Sequence, residues 1–157
     1  MIFEFGQYKL NIDVDKTRLF YETSRLVTVG CTCSGCHNYE QAVKNISSEV
    51  VEFFNDLGVD MRKVCEVYVN CRNSDDTLLY GGFYHLCGTL LTGKTAWVPT
   101  SASTSHWQES QAFQIAPGFL VSFQTECDLL ENDFPKPSLQ MEISANIPWV
   151  LSKQNPY

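Results

Sequence analysis

From Cys65 to Leu151 the chain reads almost entirely as strands joined by short polar connections, and that run decides the fold class. Glu66-Val67-Tyr68-Val69-Asn70-Cys71 leads through the turn Arg72-Asn73-Ser74-Asp75-Asp76 into a second, long strand from Leu78 to Leu91. This is the pattern of a hairpin with a polar loop. Gly81-Gly82 inside the long strand signals a bulge or a close approach of another backbone. Thr95 to Val98, His106 to Ile115 and Phe119 to Leu130 read as further strands, the last two separated by the turn Ala116-Pro117-Gly118. Leu139, Met141, Ile143 and Ala145 alternate with Gln140, Glu142 and Ser144, which predicts a half-buried final strand.

The first sixty residues have a different grammar. Tyr8, Leu10, Ile12 and Val14 alternate with polar neighbours as a strand does. Asp15 is placed to cap a short helix through Glu22, with Leu19 and Phe20 facing inward, and Arg25 to Val29 reads as a strand or extended linker. Tyr39, Ala42, Val43 and Ile46 form an apolar helical stripe opposite Glu40, Gln41, Lys44 and Asn45. A second helix follows, capped by Ser47 or Ser48, with Val50, Val51, Phe53, Phe54 and Leu57 inward and Gly58 where a left-handed C-terminal residue is wanted. Helices followed by strands with short connections predict an α+β fold, an antiparallel β-sheet with two or three N-terminal helices packed on one face. A chain of 157 residues suffices for a single domain, helical over about 15–58 and strand-rich over about 65–151.

Eighteen acidic against eleven basic residues give a net charge of −7. That charge repels nucleic-acid phosphates and anionic membrane surfaces, so neither is expected as a partner. A basic protein is the partner class such a field would steer in, as an immunity-type protein does for a basic toxin. The N-terminal residues show no secretory pattern, and no run approaches the ~20 apolar residues of a membrane span, so the expected location is cytoplasmic. Seven cysteines, an odd number, then read as thiols or metal ligands in a reducing compartment rather than as a disulfide framework.

Three of those cysteines and one histidine fall within Cys31-Thr32-Cys33-Ser34-Gly35-Cys36-His37. Zinc takes thiolate sulfur and imidazole nitrogen in a tetrahedron, which makes Cys31, Cys33, Cys36 and His37 the candidate metal ligands. Because adjacent side chains rarely converge, Cys65, Cys71, Cys87, His85 or Cys127 are equal candidates for the fourth place. Cys33-Ser34-Gly35-Cys36 also has the spacing of a redox dithiol at a helix start, the basis for a thiol-redox enzyme as the rival function. Cys33 to His37 spells the haem-attachment pattern, but a strand-rich chain without an export signal does not suit it. The plain alternative is reduced thiols packed under a turn as small hydrophobes. Elsewhere His85 reads as a hydrogen-bonded core residue, His106 with Trp107 as a surface pair, and Glu126 with Asp128 as the solvated face of a strand.

At Cys31 to Tyr39, together with Tyr80 to Gly88 and Phe134-Pro135-Lys136-Pro137, the chain resembles a group of uncharacterised bacterial proteins, mainly from Firmicutes, that share a C-x-C-x-x-C-x-N-[YF] turn. The resemblance spans nearly the whole length and implies a small intracellular bacterial protein, with no activity attached. The expected function is a non-enzymatic binding or interaction domain whose cysteine turn holds a structural zinc.

Overall fold

The computed structural model describes residues 1–157 in full. Two short strands open the chain, β1 (Ile2–Phe5) and β2 (Tyr8–Ile12). Four helices follow, α1 (Val14–Thr23), α2 (Val27–Gly30), α3 (Ser34–Ala42) and α4 (Ser48–Asp56). Then come β3 (Glu66–Arg72), β4 (Leu78–Thr92), a small separate hairpin of β5 (Trp97–Pro99) and β6 (Ser105–Trp107), and β7 (Phe113–Ala116), β8 (Phe119–Gln124) and β9 (Ser138–Ile147). Every pairing is antiparallel, and the main sheet runs β1-β2-β4-β9-β8-β7 with β3 also on β4. The α+β class read from the sequence is therefore the one observed.

The fifteen-residue β4 organises this sheet. Along one edge it pairs with β9 from Leu78 to Cys87. Along the other it serves two strands in turn, β3 from Leu78 to Phe83 and β2 from Gly88 to Thr92. Between them lie backbone groups that no strand satisfies, and a buried unpaired backbone group costs about as much as a lost hydrogen bond. Helix α1 fills the gap. The Tyr21 hydroxyl donates to the His85 carbonyl and accepts from the His85 N–H, both at 3.1 Å. The Thr17 hydroxyl oxygen accepts from the Cys87 N–H at 3.0 Å, and the Asp13 N–H donates to the Cys87 carbonyl at 2.8 Å.

That role explains how α1 departs from expectation. Its N-cap is Asp13, whose side chain accepts from the Lys16 N–H, rather than Asp15. The buried residues are Thr17 and Tyr21, whereas Leu19 is 64% exposed. The helix is turned by the polar demand of the sheet edge, which an apolar-periodicity reading cannot see. Arg25 to Val29 also differs, since Val27–Gly30 is a single helical turn.

Helices α3 and α4 cover one face of the sheet. Phe54 stands edge-on to Tyr84 of β4 and Phe119 of β8 at ring separations of 5.1 and 5.9 Å, and Phe53 packs on Phe5 at 4.8 Å. Gly58, at φ +79°, ends this layer in the left-handed conformation anticipated for it. Gly82 is the close approach read from the Gly81-Gly82 pair, because a Cβ there would meet the Glu66 carbonyl oxygen at 2.5 Å.

The opposite face is polar yet also buried, so β9 is not half-exposed as its alternation suggested. Gln140 and Glu142 are 0% and 5% exposed. They are covered and mutually bonded, with Gln140 donating to Glu142 Oε1 at 2.5 Å and accepting from the Asp128 N–H at 2.7 Å. Burial pushes the Glu142 carboxyl above the usual range. Glu126 and Asp128 are exposed, as read, but lie in the irregular segment after β8 instead of on a strand. The expected strand His106–Ile115 is split by a helical turn at Glu109–Gln111.

Two outcomes follow. Tyr21→Phe strands both the N–H and the carbonyl of His85, so the urea midpoint should fall by an amount worth about 1–3 kcal/mol with an unchanged m-value. Burial also raises the phenols of Tyr39 and Tyr84, and that of Tyr80 to about 12. The unfolded chain therefore loses these protons first as pH rises. Stability should be intact below about pH 10 and fall above it, with tyrosinate absorbance rising together with loss of circular dichroism. Tyrosinate beyond that of the two exposed tyrosines, Tyr68 and Tyr157, appearing well before unfolding would contradict the burial.

Candidate metal centre

The cysteine turn lies between two helices whose ends define it. Cys31 closes α2, its N–H bonded to the Val27 carbonyl, and Cys33 is the N-cap of α3, its Sγ accepting from the Cys36 N–H at 3.4 Å. This capping draws Cys33 and Cys36 to one side of the helix start. Cys31 Sγ lies 3.2 Å from Cys33 Sγ, and the sulfurs of Cys31, Cys33 and Cys36 all fall within 4.8 Å of one another. A tetrahedral zinc with bonds of about 2.3 Å requires sulfurs about 3.8 Å apart. One pair lies inside that distance and none lies beyond 4.8 Å, so the three thiols could hold a metal ion.

The three sites are graded in depth. Cys36 is buried at the sheet, its thiol 3.9 Å from the Val67 carbonyl of β3, while Cys31 is half-buried and Cys33 exposed. Burial pushes the Cys36 thiol far above its ordinary value, with the neighbouring sulfurs adding to the shift. Cys31 is shifted down, first by the Cys33 backbone N–H and then by the Cys36 and Cys33 side chains.

Of the residues proposed from the sequence, these three come together and His37 does not. His37 is exposed on α3, outside the sulfur set. The alternative fourth ligands lie elsewhere. The Cys65 thiol points at the Leu129 carbonyl, that of Cys87 at Lys136, and that of Cys127 at Thr125. Cys71 is exposed on β3, and His85 is buried with Nε2 3.2 Å from Gln140 Oε1, the core histidine expected. Cys31, Cys33 and Cys36 are thus the residues of this set that could hold an ion together.

What holds the turn was not anticipated. The Tyr80 hydroxyl of β4 donates to the Gly35 carbonyl at 2.9 Å. Asn38, fully buried, donates to the Tyr80 hydroxyl and the Pro148 carbonyl at 3.2 and 3.0 Å and accepts from the Val150 N–H at 2.8 Å. The Tyr39 and Tyr84 hydroxyls meet at 2.6 Å, and Tyr84 donates on to the Met61 carbonyl. Glu40, read as surface, is 6% exposed because its carboxylate accepts from both the N–H and the hydroxyl of Thr28, tying α2 to α3. Gly35 is packed so closely that a Cβ would sit 2.8 Å from the Tyr157 hydroxyl and 3.3 Å from Val69. The one signal for this network in the sequence is the Asn38-Tyr39 pair next to the cysteines.

The chain matches no protein-family model, no curated protein and no solved structure. No helix is long and apolar enough to cross a membrane.

Asn38→Ala removes three buried hydrogen bonds and should cost about 2–3 kcal/mol of stability, read from thermal or urea unfolding. Asn38→Asp, which sets a buried carboxylate oxygen against the Pro148 carbonyl, should lose at least as much at neutral pH.

Proposed function

We propose that this chain is a non-catalytic binding domain of the bacterial cytoplasm in which Cys31, Cys33 and Cys36 hold a zinc ion that fastens the start of α3 to the sheet. The observation that carries this reading is the convergence of the three sulfurs within 4.8 Å at a turn already fixed by Tyr80 and Asn38. Zinc needs no more than soft donors at this spacing, and ligands held in place before the ion arrives lose little entropy on binding it. Ligation requires free thiolates, which suits a reducing compartment. The net charge of −7 favours a basic macromolecular partner for the domain.

A second reading, dithiol redox chemistry, is favoured by the 3.2 Å separation of the Cys31 and Cys33 sulfurs. One experiment divides the two. Protein purified without chelator should carry about one zinc per chain, with three of its seven thiols protected from a thiol reagent until the metal is removed. Metal-free protein whose Cys31 and Cys33 oxidise rapidly to a disulfide would instead establish the redox reading. Because the ligands must lose their protons, zinc uptake should release acid and the affinity should drop as pH is lowered from about 8 to about 6. Cys36→Ser should abolish uptake, and His37→Ala should leave it within about twofold.

A further inference from the structure

The sulfur cluster forms part of the wall of a cleft of about 820 Å³, bounded by the segment after α1, the cysteine turn, the start of β3 and the loop around Leu129. Cys31 and Cys36 both line it, whereas Cys33 does not. Its size is that of a small-molecule pocket, and its lining is mixed, with Arg25 and Lys63 as cationic groups and Glu66 and Glu131 as carboxylates beside the apolar residues. Phe20, Val64 and Val67 supply apolar surface. Arg25 lies along the same cleft and takes part in none of the five ion pairs of the chain. Its guanidinium lies over Gly30, next to Cys31, about 3.7 Å from where a Cβ on that glycine would be. At the opposite rim Leu129 is held at φ +50° with its side chain 68% exposed. A leucine in the left-handed region, presented to solvent, is a local strain of the kind that gathers at ligand sites.

We infer that this cleft binds a small thiol carrying a carboxylate, whose sulfur completes the fourth position of the metal and whose carboxylate pairs with Arg25. The inference rests on the zinc reading above and names the ligand for it. Three thiolates leave one soft-donor position open, and two of the three ligating residues border the cleft. A sulfur donor seated there reaches the ion without displacing a protein ligand. Arg25 then offers the paired N–H groups that match a carboxylate, and the short hydrocarbon body lies on Phe20 and Val64. The thiol loses its proton on ligation, and no oxidant or reductant is consumed.

Cobalt(II) substitution tests this with mercaptopropionate as the probe. Sulfur-to-cobalt charge-transfer bands report whether the three cysteines hold the ion, and the d–d bands report what fills the fourth position. Addition of mercaptopropionate should shift the d–d bands saturably while the charge-transfer bands persist and gain intensity, and propionate should do neither. Arg25→Gln should leave cobalt uptake unchanged and weaken the mercaptopropionate effect about tenfold, the loss of one charge-assisted contact. If cobalt binds with charge-transfer bands but mercaptopropionate leaves the d–d bands unmoved, or acts equally on the Arg25→Gln protein, the cleft inference is overturned and the metal site stands. If cobalt produces no charge-transfer bands, both fall together.

Discussion

Strand β4 must satisfy hydrogen bonds on both edges over fifteen residues, and no single neighbour spans that length on the β3/β2 side. A sheet can bridge such a handover with water, with a bulge or with side chains. Here Tyr21 and Thr17 of α1 do it, and Tyr21 uses its hydroxyl as donor and acceptor at once on one residue, His85. The consequence reaches beyond the edge. Fixing α1 this way places the segment after it, Thr23 to Leu26, as one wall of the cleft beside the cysteine turn. The N-terminal helix is therefore part of the sheet's hydrogen bonding first and a hydrophobic layer second.

The same strand anchors the cysteine turn from its other side. Tyr80 and Tyr84 are fully buried under α3, where a bare hydroxyl would be destabilising. Each finds partners across the layer, Tyr80 with Gly35 and Asn38, Tyr84 with Tyr39 and the Met61 carbonyl. A tyrosine in this position gives apolar area along its ring and a directed bond at its tip. Apolar packing alone would let α3 slide on the sheet. The tyrosine tips set its register, and with it the place of Cys33 and Cys36 relative to β3.

This explains which parts of the structure could be read from the sequence. The strands at Tyr8–Ile12 and Leu139–Ala145, the β3–β4 hairpin, the helix α4 and the Gly58 cap rest on local signals, each contained in a few consecutive residues, and all are present, although Val51, expected on the inner stripe of α4, is exposed. The cysteine cluster was legible for the same reason, since Cys31, Cys33 and Cys36 lie in one turn. The errors share an opposite cause. Polarity puts Leu19 inside and Glu40, Gln140 and Glu142 outside, and it misleads where a buried polar group has a partner elsewhere in the fold. Glu40 is inside because of Thr28, and Tyr21 displaces Leu19 from the inner face because of His85 sixty-four residues on. His37 failed to join the sulfurs because α3 begins between Cys33 and Cys36, and helical geometry turns the next residue outward.

The depth gradient among the three cysteines bears on what a metal would do here. Cys36 is locked against the Val67 carbonyl and cannot move without disturbing β3, whereas Cys33 is exposed and Cys31 follows a single-turn helix. Ligation at Cys36 would therefore refer an ion to the sheet, and ligation at Cys31 would tie down the segment that faces the cleft. Binding energy gained at three sulfurs would be shared between Cys36, packed on the sheet, and a short helix joined to α3 through Glu40 and Thr28. The greater ordering falls on α2 and the cleft wall, so occupation of the metal site and of the cleft should be thermodynamically coupled, each raising the affinity of the other.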